Sequence, residues 1–439
     1  MMRSLYSAVS GLRVHQTKMD VIGNNIANVN TTGYKASTVS FRDVFNQTLQ
    51  GGTGASDSGL GGSNPMQIGL GVGVSSIDIQ MTPGASQRTD NSLDLQISND
   101  GFFIVTDGAG QKFTRAGSFR LDSGGNLVNA SGFKVCGWPV NTDTGEIIKG
   151  SVQPLSIMGP TTYSVAPNKT TSLEFSGNLN IADGEAPPTG TGIPMTMNFY
   201  DSLGSKYTAQ MTTTFDPTAG VNGLWQITNF DYIKDSKGND VESGGVPVAG
   251  LVPATPIELE FDTDGNITGT SSFNIDFSTL PFDGVNSEVG DATGLLALDF
   301  KNMTQYSSTT SVMSDHDGNE AGNFSSFSVG GDGIVIAKYS NGDTKVLGQI
   351  VLAKFKNPTG LLKAGDNLFE TSPNSGEFDG IGVDPSTTGG LQSGVLEMSN
   401  VDLSKEFTEM ITTQRGFQAN SKVITTSDEM LQELTNLKR

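Results

Sequence analysis

Residues 403–437 read LSKEFTEMITTQRGFQANSKVITTSDEMLQELTNL, and this stretch decides the architecture. Leu403, Met410, Phe417, Ile424 and Leu431 recur at a strict step of seven, and Phe407, Ile411, Val423, Met430, Leu434 and Leu437 widen the apolar face. A step of seven keeps side chains on one stripe of a helix, as along the seam of a coiled coil. The stretch contains no proline and one glycine, Gly416. It therefore predicts a single helix about 52 Å long, at 1.5 Å per residue. Ser399 with Asp402 fits an acidic capping box and predicts the helix start. The companion row, Gln414, Ser421 and Asp428, is polar, so a lone two-helix hairpin would bury this helix poorly.

The other end of the chain repeats the device. Leu5, Leu12, Met19 and Ile26 are seven apart, and Ala8, His15, Ile22 and Val29 form a second row offset by three. Ser4 is a fitting N-cap, and Gly23, Asn24 and Asn25 favour fraying or a stop. An ordinary core helix is the usual reading of such a pattern. Here two amphipathic helices bracket a strand-rich chain, which favours a coiled-coil pair completed by partners from other subunits.

Between the ends, the sequence alternates and turns. Residues 51–63, GGTGASDSGLGGS, are linker-like, with Leu60 as the single apolar anchor. Leu93, Leu95 and Ile97 alternate, Asn99-Asp100-Gly101 turns, and Phe103 and Val105 resume. Met195, Met197 and Phe199 lead into Asp201-Ser202-Leu203-Gly204, followed by Tyr207, Ala209, Met211, Thr213 and Phe215. Pro194 suits an edge strand, where a missing N–H is tolerated. Ile257, Leu259 and Phe261 precede the turn Asp262-Thr263-Asp264-Gly265, and late hairpins turn at Gly330–Gly333 and Asn341–Asp343. The fold class that follows is mainly β with terminal α-helices paired as a coiled coil. Two β-rich domains lie between them, split near residues 150 and 300, the second inserted into the first.

Composition narrows the function. The 439 residues carry 56 glycines, 35% hydrophobic and 16% charged residues, and a net charge of −20. Nucleic-acid binding needs clustered Lys and Arg and is disfavoured. Residues 1–50 carry +3 and residues 395–439 carry −2, leaving −21 in the body. Termini nearly neutral beside an acidic body suggest ends that pack on something. No apolar run approaches the ~18 residues of a membrane span. The opening MMRSLYSAVSGLRVHQT lacks the apolar core of a secretory signal, so these signals alone read as cytosolic.

Catalytic and metal chemistry find little support. His15 and His316 are the only histidines, and no Gly-x-Ser-x-Gly elbow accompanies them. The stretches starting at Asp262 and Asp315 place Ile267 and Glu320 where a calcium loop needs glycine, and Phe273 and Ser326 where it needs glutamate. Asp/Gly turns explain both. Gly69-Leu70-Gly71-Val72-Gly73 lacks dinucleotide-site spacing. Cys136 is alone, so no intrachain disulfide is possible and a small buried hydrophobe is its default role. No cofactor is expected, and the protein is expected not to be an enzyme.

One segment carries identity. Asp20–Lys35 reads DVIGNNIANVNTTGYK: a helix end passing into turns where Asn and Thr bond local backbone. It resembles the N-terminal signature of the flagellar rod and hook family, with the Asn-Asn-x-Ala-Asn core (Asn24, Asn25, Asn28) and the Gly33-Tyr34-Lys35 ending. Ser98–Phe103 (SNDGFF), Val346–Phe355 (VLGQIVLAKF) and Leu396–Gly416 (LEMSNVDLSKEFTEMITTQRG) are similar to further family stretches, in order along the chain. The region 150–295 matches nothing and is placed by position.

The resemblance implies a hook subunit, with a distal rod subunit as alternative and a secreted β-rich adhesin or enzyme as a remoter one. Such chains are exported unfolded through the flagellar type III apparatus without a cleaved signal, which turns the cytosolic reading into an extracellular one. They polymerise with their own copies and meet rod, hook-cap and hook–filament junction proteins. Residues 1–30 and 400–439 would form the inner coiled coil, 31–70 and 372–399 a linker region, 71–150 and 300–371 the tube wall, and 151–299 an outer domain. Leu5, Leu12, Met19, Ile22, Ile26, Leu403, Phe407, Met410, Phe417, Ile424 and Leu431 would hold the coiled coil. Asn24, Asn25, Asn28, Gly33 and Lys35 would join it to the wall.

Overall fold

The computed structural model describes residues 2–54, 62–141, 144–159, 162–182, 192–219, 223–243, 246–247, 256–277, 288–291 and 294–437. Most of the linker-like stretch, residues 55–61 with Leu60, lies outside the described residues. Two helices form at the ends, α1 (Met2–Ala27) and α2 (Leu403–Asn436), and nearly everything between is strand and turn. The chain divides into two compact units: residues 1–159, 327–337 and 345–439 form unit 1, and residues 160–326 and 338–344 form unit 2. The sequence places the inserted domain at 151–299; unit 2 instead begins at 160, runs on to 326 and takes in 338–344.

The 34 residues of α2 run unbroken through Gly416. Its N-cap is Asp402, whose side chain accepts from Ser404 N and Lys405 N. The expected cap, Ser399, instead accepts from Val401 N in the turn before the helix. Asp402 wins because its carboxylate reaches two of the unpaired N–H groups of the first turn. At the other end, α1 continues through Gly23, Asn24 and Asn25 to Ala27, because those asparagines find partners outside the helix.

Within unit 1 the helices lie antiparallel. Asn420 of α2 sits against Gly11 and His15 against Gly416, and Lys18 Nζ meets Glu409 at 3.1 Å. A Cβ at Gly11 would come within 2.5 Å of the Asn420 amide, and one at Gly416 within 2.7 Å of the His15 ring. A larger residue at either position would have to displace the facing side chain. β1 (Ser37–Asp43) pairs antiparallel with β4 (Val72–Ile79) beside α1, and β2 (Asn46–Gln50) with β3 (Met66–Gly69) extends this hairpin with both strands exposed. The β body of unit 1 is an antiparallel sheet in which Lys134–Pro139 pairs with Phe102–Thr106, and Gly137 and Trp138 lie opposite Ile350 and Gln349. The VLGQIVLAKF stretch is thus a central buried element. Its residues Ile350 to Ala353 are buried, split between a cluster around Phe103 and Phe119 and a second around Phe102, Phe113 and Phe355.

Unit 2 packs two sheets. One has the order Ser272–Asp276, Leu295–Thr304, Ser172–Asn178, Ser311–His316; its middle pair is parallel and the rest antiparallel. The other is antiparallel and runs Ile193–Tyr200, Lys206–Asp216, Leu224–Lys234, Ile257–Phe261, Ile267–Thr268. Pro194 lies in the edge strand of that sheet, as its missing N–H requires. Alternation puts Met195, Met197 and Phe199 inward against Tyr207, Ala209 and Met211. Phe175 and Phe300 stack at 4.7 Å in the same core. The turns at Asp201 and Asp262 use their own oxygens: Asp201 Oδ1 accepts from Leu203 N and Ser205 N, and Asp262 Oδ1 from Asp264 N and Asn266 N. Gly204 and Gly265 close them at φ of 83° and 80°, where a side chain would be strained. The stretch at Asp315 differs: Asp315 lies in the strand Ser311–His316, and the Asp317 carboxylate accepts from Thr171 N and Ser172 N at the start of the neighbouring strand rather than from its own turn.

Candidate functional site

The Asn-rich segment and the stretch before α2 meet in unit 1 through a set of side-chain hydrogen bonds. Asn25, buried within α1, donates to Ser37 O at 2.9 Å and accepts from Ser37 N at 3.0 Å. It fastens the helix to the first residue of β1. Tyr34 Oη donates to Asn24 Oδ1 at 2.7 Å. Asn28 donates to Asn24 O and accepts from Thr31 Oγ1, shaping the turn after the helix. Gly33 adopts φ 68°, donates its N–H to Glu397 O at 2.8 Å, and leaves no room for a Cβ, which would lie 2.5 Å from Ala116 N. From the other strand of the joint, Asn400 accepts from Ala36 N and donates to Gln80 O and Thr82 O.

At the centre is an ion cluster without access to water. Lys35 Nζ lies 2.6 Å from Glu397 Oε1 and donates to Thr82 O at 2.7 Å. Glu397 Oε1 also accepts from Gly84 N, and its Oε2 meets Arg115 Nη1 at 3.4 Å. Arg115 in turn sits 5.3 Å over the Phe102 ring, a cation–π contact. All three charged side chains are at most 2% exposed. Burial pulls the Lys35 ammonium below its ordinary value, and Glu397 beside it pulls the other way. Lys363, on an exposed strand, closes the joint by donating to Lys35 O and Ser37 Oγ, with its ammonium 4.8 Å over the Tyr34 ring.

The sequence reading singled out Asn24, Asn25, Asn28, Gly33 and Lys35, and the structure brings them together. The sequence reading does not contain Glu397, Arg115, Asn400 or Lys363 as separate candidates, although Glu397 and Asn400 lie inside the quoted LEMSNVDL motif. An acidic residue flanked by Leu396 and Met398 in a strand-like run was the available signal. Arg115 and Lys363 carry no local signal, because their partners are hundreds of residues away.

The helix pair differs from a simple leucine seam. In α1 the fully buried residues are Ala8, Gly11, Val14, Ile22 and Asn25, while Leu5, Leu12, Met19 and Ile26 are half-buried. In α2 the buried residues are Glu406, Thr413 and Ser427. Met410, Phe417, Ile424 and Leu431 are half-buried, and Leu403 and Phe407 are exposed. Small and polar side chains occupy the contact line because the helices approach closely at Gly11 and Gly416, and the large apolar residues flank it. His15 lies in this line: its ring packs edge-on to Phe41 at 6.0 Å, and its Nδ1 is buried with no partner among the described residues.

Comparison with known proteins follows the same order along the chain. The sequence families "Flagella basal body rod protein", "Flagellar hook protein FlgE/F/G D1 domain", "Flagellar basal body protein FlaE D2 domain" and "Flagellar basal body rod FlgEFG protein C-terminal" match residues 5–35, 96–176, 182–318 and 392–437. The third match covers the middle region that no motif had reached. The flagellar hook protein FlgE of Borreliella burgdorferi is 37% identical over the whole of both chains, and that of Treponema pallidum 36%. The flagellar basal-body rod protein FlgG of Bacillus subtilis is 32% identical, again over the whole of both chains. The chain therefore belongs to the flagellar rod and hook protein family.

Two outcomes test the joint and the helix pair. Removing one partner of a buried ion pair leaves an uncompensated charge, at a cost of about 3–5 kcal/mol. Glu397→Gln should therefore lower the unfolding free energy of unit 1, read from urea titrations, by that amount, and Lys35→Met with Glu397→Leu together should cost less than the sum of the two single changes. For His15, burial first and the Lys18 charge second hold the imidazole below its ordinary 6.5. The unfolded chain then takes up the proton first as pH falls, so the contribution is intact above about pH 6.5 and is lost as pH drops through the lower folded value. The helix pair should melt at a lower temperature at about pH 5 than at about pH 7.5, and His15→Gln should shrink that difference; equal differences in both proteins would contradict it.

Proposed function

We propose that the chain is a structural subunit of the bacterial flagellar hook, polymerising into the flexible tube that joins rod and filament. The observation that carries the reading is the pair of apolar stripes left exposed on the terminal helices of a family member. Met2, Tyr6 and Val9 on α1, Leu403, Phe407, Ile411, Val423, Met430 and Leu434 on α2, and Leu437 at its C-cap are all uncovered in the single chain. Exposed apolar patches of this extent on a soluble chain mark interaction surfaces. In this reading the helix pair lines the inner channel, the β body of unit 1 forms the wall and unit 2 faces outward. The Asn24–Lys35 joint passes load from inner layer to wall. Helices draw most of their stability from packing, and a pair with so much uncovered apolar surface suits export unfolded and ordering on assembly.

The same reading makes the protein a component of the extracellular flagellum, exported by the type III apparatus without a cleaved signal. Its partners are further copies of itself, the rod, the hook cap and the hook–filament junction proteins. The distal rod subunit stands as a second reading, favoured by the full-length match to the Bacillus subtilis rod protein. Basal bodies isolated after disruption of the gene separate the two: the hook reading predicts complete rods without hooks, and truncated rods would support the rod reading. Complementation with Phe417→Asp should leave the subunit exported but cells hookless and non-motile. Normal hooks in that strain would contradict the assembly role of the helix pair.

A further inference from the structure

The two helices are unequal in length and opposite in charge. From Gly11 against Asn420, His15 against Gly416 and Lys18 at Glu409, the antiparallel register brings Met2 level with about residue 429. Residues 430–437 then run on about 11 Å beyond α1. On that overhang Met430, Leu434 and Leu437 are exposed, with spacings of four and three, beside exposed Glu429 and Glu433. On α1, Met2, Tyr6 and Val9 are exposed with the same spacings of four and three, beside exposed Arg3. Residues 2–27 carry +2, whereas residues 426–437 carry −3, and Lys438 and Arg439 follow outside the described residues.

We propose that the Met2–Tyr6–Val9 stripe of one copy docks on the Met430–Leu434–Leu437 overhang of a second copy, with Arg3 set against Glu429 and Glu433. The proposal rests on the hook reading and names the contact by which one subunit's helix pair engages the next. Equal spacing lets the large side chains of one stripe seat between those of the other. Charge chooses the pairing: two α2 overhangs would set Glu429 and Glu433 against their own kind, and two α1 stripes would oppose Arg3 with Arg3, both repulsive. Docking α1 on α2 is the combination that joins opposite charges. It is also a head-to-tail contact, in which different patches meet, and such contacts propagate into open helical polymers rather than closing as dimers.

Cysteine crosslinking within assembled hooks is the test. In a Cys136→Ala background, Tyr6→Cys and Leu434→Cys are introduced singly and together, and isolated hooks are oxidised and run under denaturing conditions. The two positions lie at different levels of the pair and cannot bridge within one chain at this register. The double variant should give a ladder of covalent oligomers, and each single variant should stay monomeric. Hooks that yield no ladder, or a dimer from either single variant alone, would overturn the α1-to-α2 pairing while leaving the hook reading intact. If the double variant builds no hooks, charge exchange decides. Arg3→Glu, and Glu429→Arg with Glu433→Arg, should each cut hooks per cell at least tenfold with secreted subunit unchanged, and combining them should restore hooks. Unchanged hook numbers, or no restoration, would overturn the proposal.

Discussion

A single carboxylate, Glu397, stands between Lys35 and Arg115 in a place closed to water, and the arrangement of both chain ends depends on it. Lys35 follows α1, Glu397 precedes α2, and Arg115 belongs to the β body. Three segments distant in sequence therefore share one charge balance. Withdrawing either terminal segment would strand a buried charge, and that penalty exceeds what a surface ion pair such as Lys18–Glu409 contributes. The neutral hydrogen bonds around the cluster, from Asn25 to Ser37 and from Asn400 to Gln80 and Thr82, fix geometry. The ions impose the requirement that both ends be present.

That requirement explains why the helix pair can be built with so little apolar contact of its own. Ala8, Gly11, Thr413 and Ser427 bury little area, and packing of that kind alone would hold α1 and α2 weakly. Anchored at their Asn25 and Glu406 ends by the joint, the helices can keep their larger side chains outward. The apolar residues missing from the intrachain seam, among them Phe407, Ile411 and Val423, stay exposed in the single chain.

Much of this was legible in residue order, and the part that was not has a common cause. The step of seven at 403–431 identified a single long helix, and the Asp/Gly turns at 201–204 and 262–265 and the alternations beside them formed as read, because turn chemistry and side-chain period act over a few residues. Local signals read Asn24 to Lys35 as a helix end passing into turns, and the family resemblance gave the segment its joining role. They did not separate the buried from the half-buried row of α1, since a close helix approach depends on where Gly11 meets Asn420. Nor did they find Arg115 opposite Glu397, a pairing across 282 residues. The step of seven placed Leu403 on the seam, and it is exposed in the single chain, because small residues occupy the line where the backbones converge.

Native-state hydrogen exchange tests the dependence of both chain ends on the buried cluster most directly. If Lys35, Glu397 and Arg115 lock the ends as one unit, amides of residues 22–37 and 397–406 open with a single shared free energy, distinct from that of the unit 2 core. Fast exchange through residues 33–37 while 397–406 stay protected, or the reverse, would show that the ends order independently and would contradict the account.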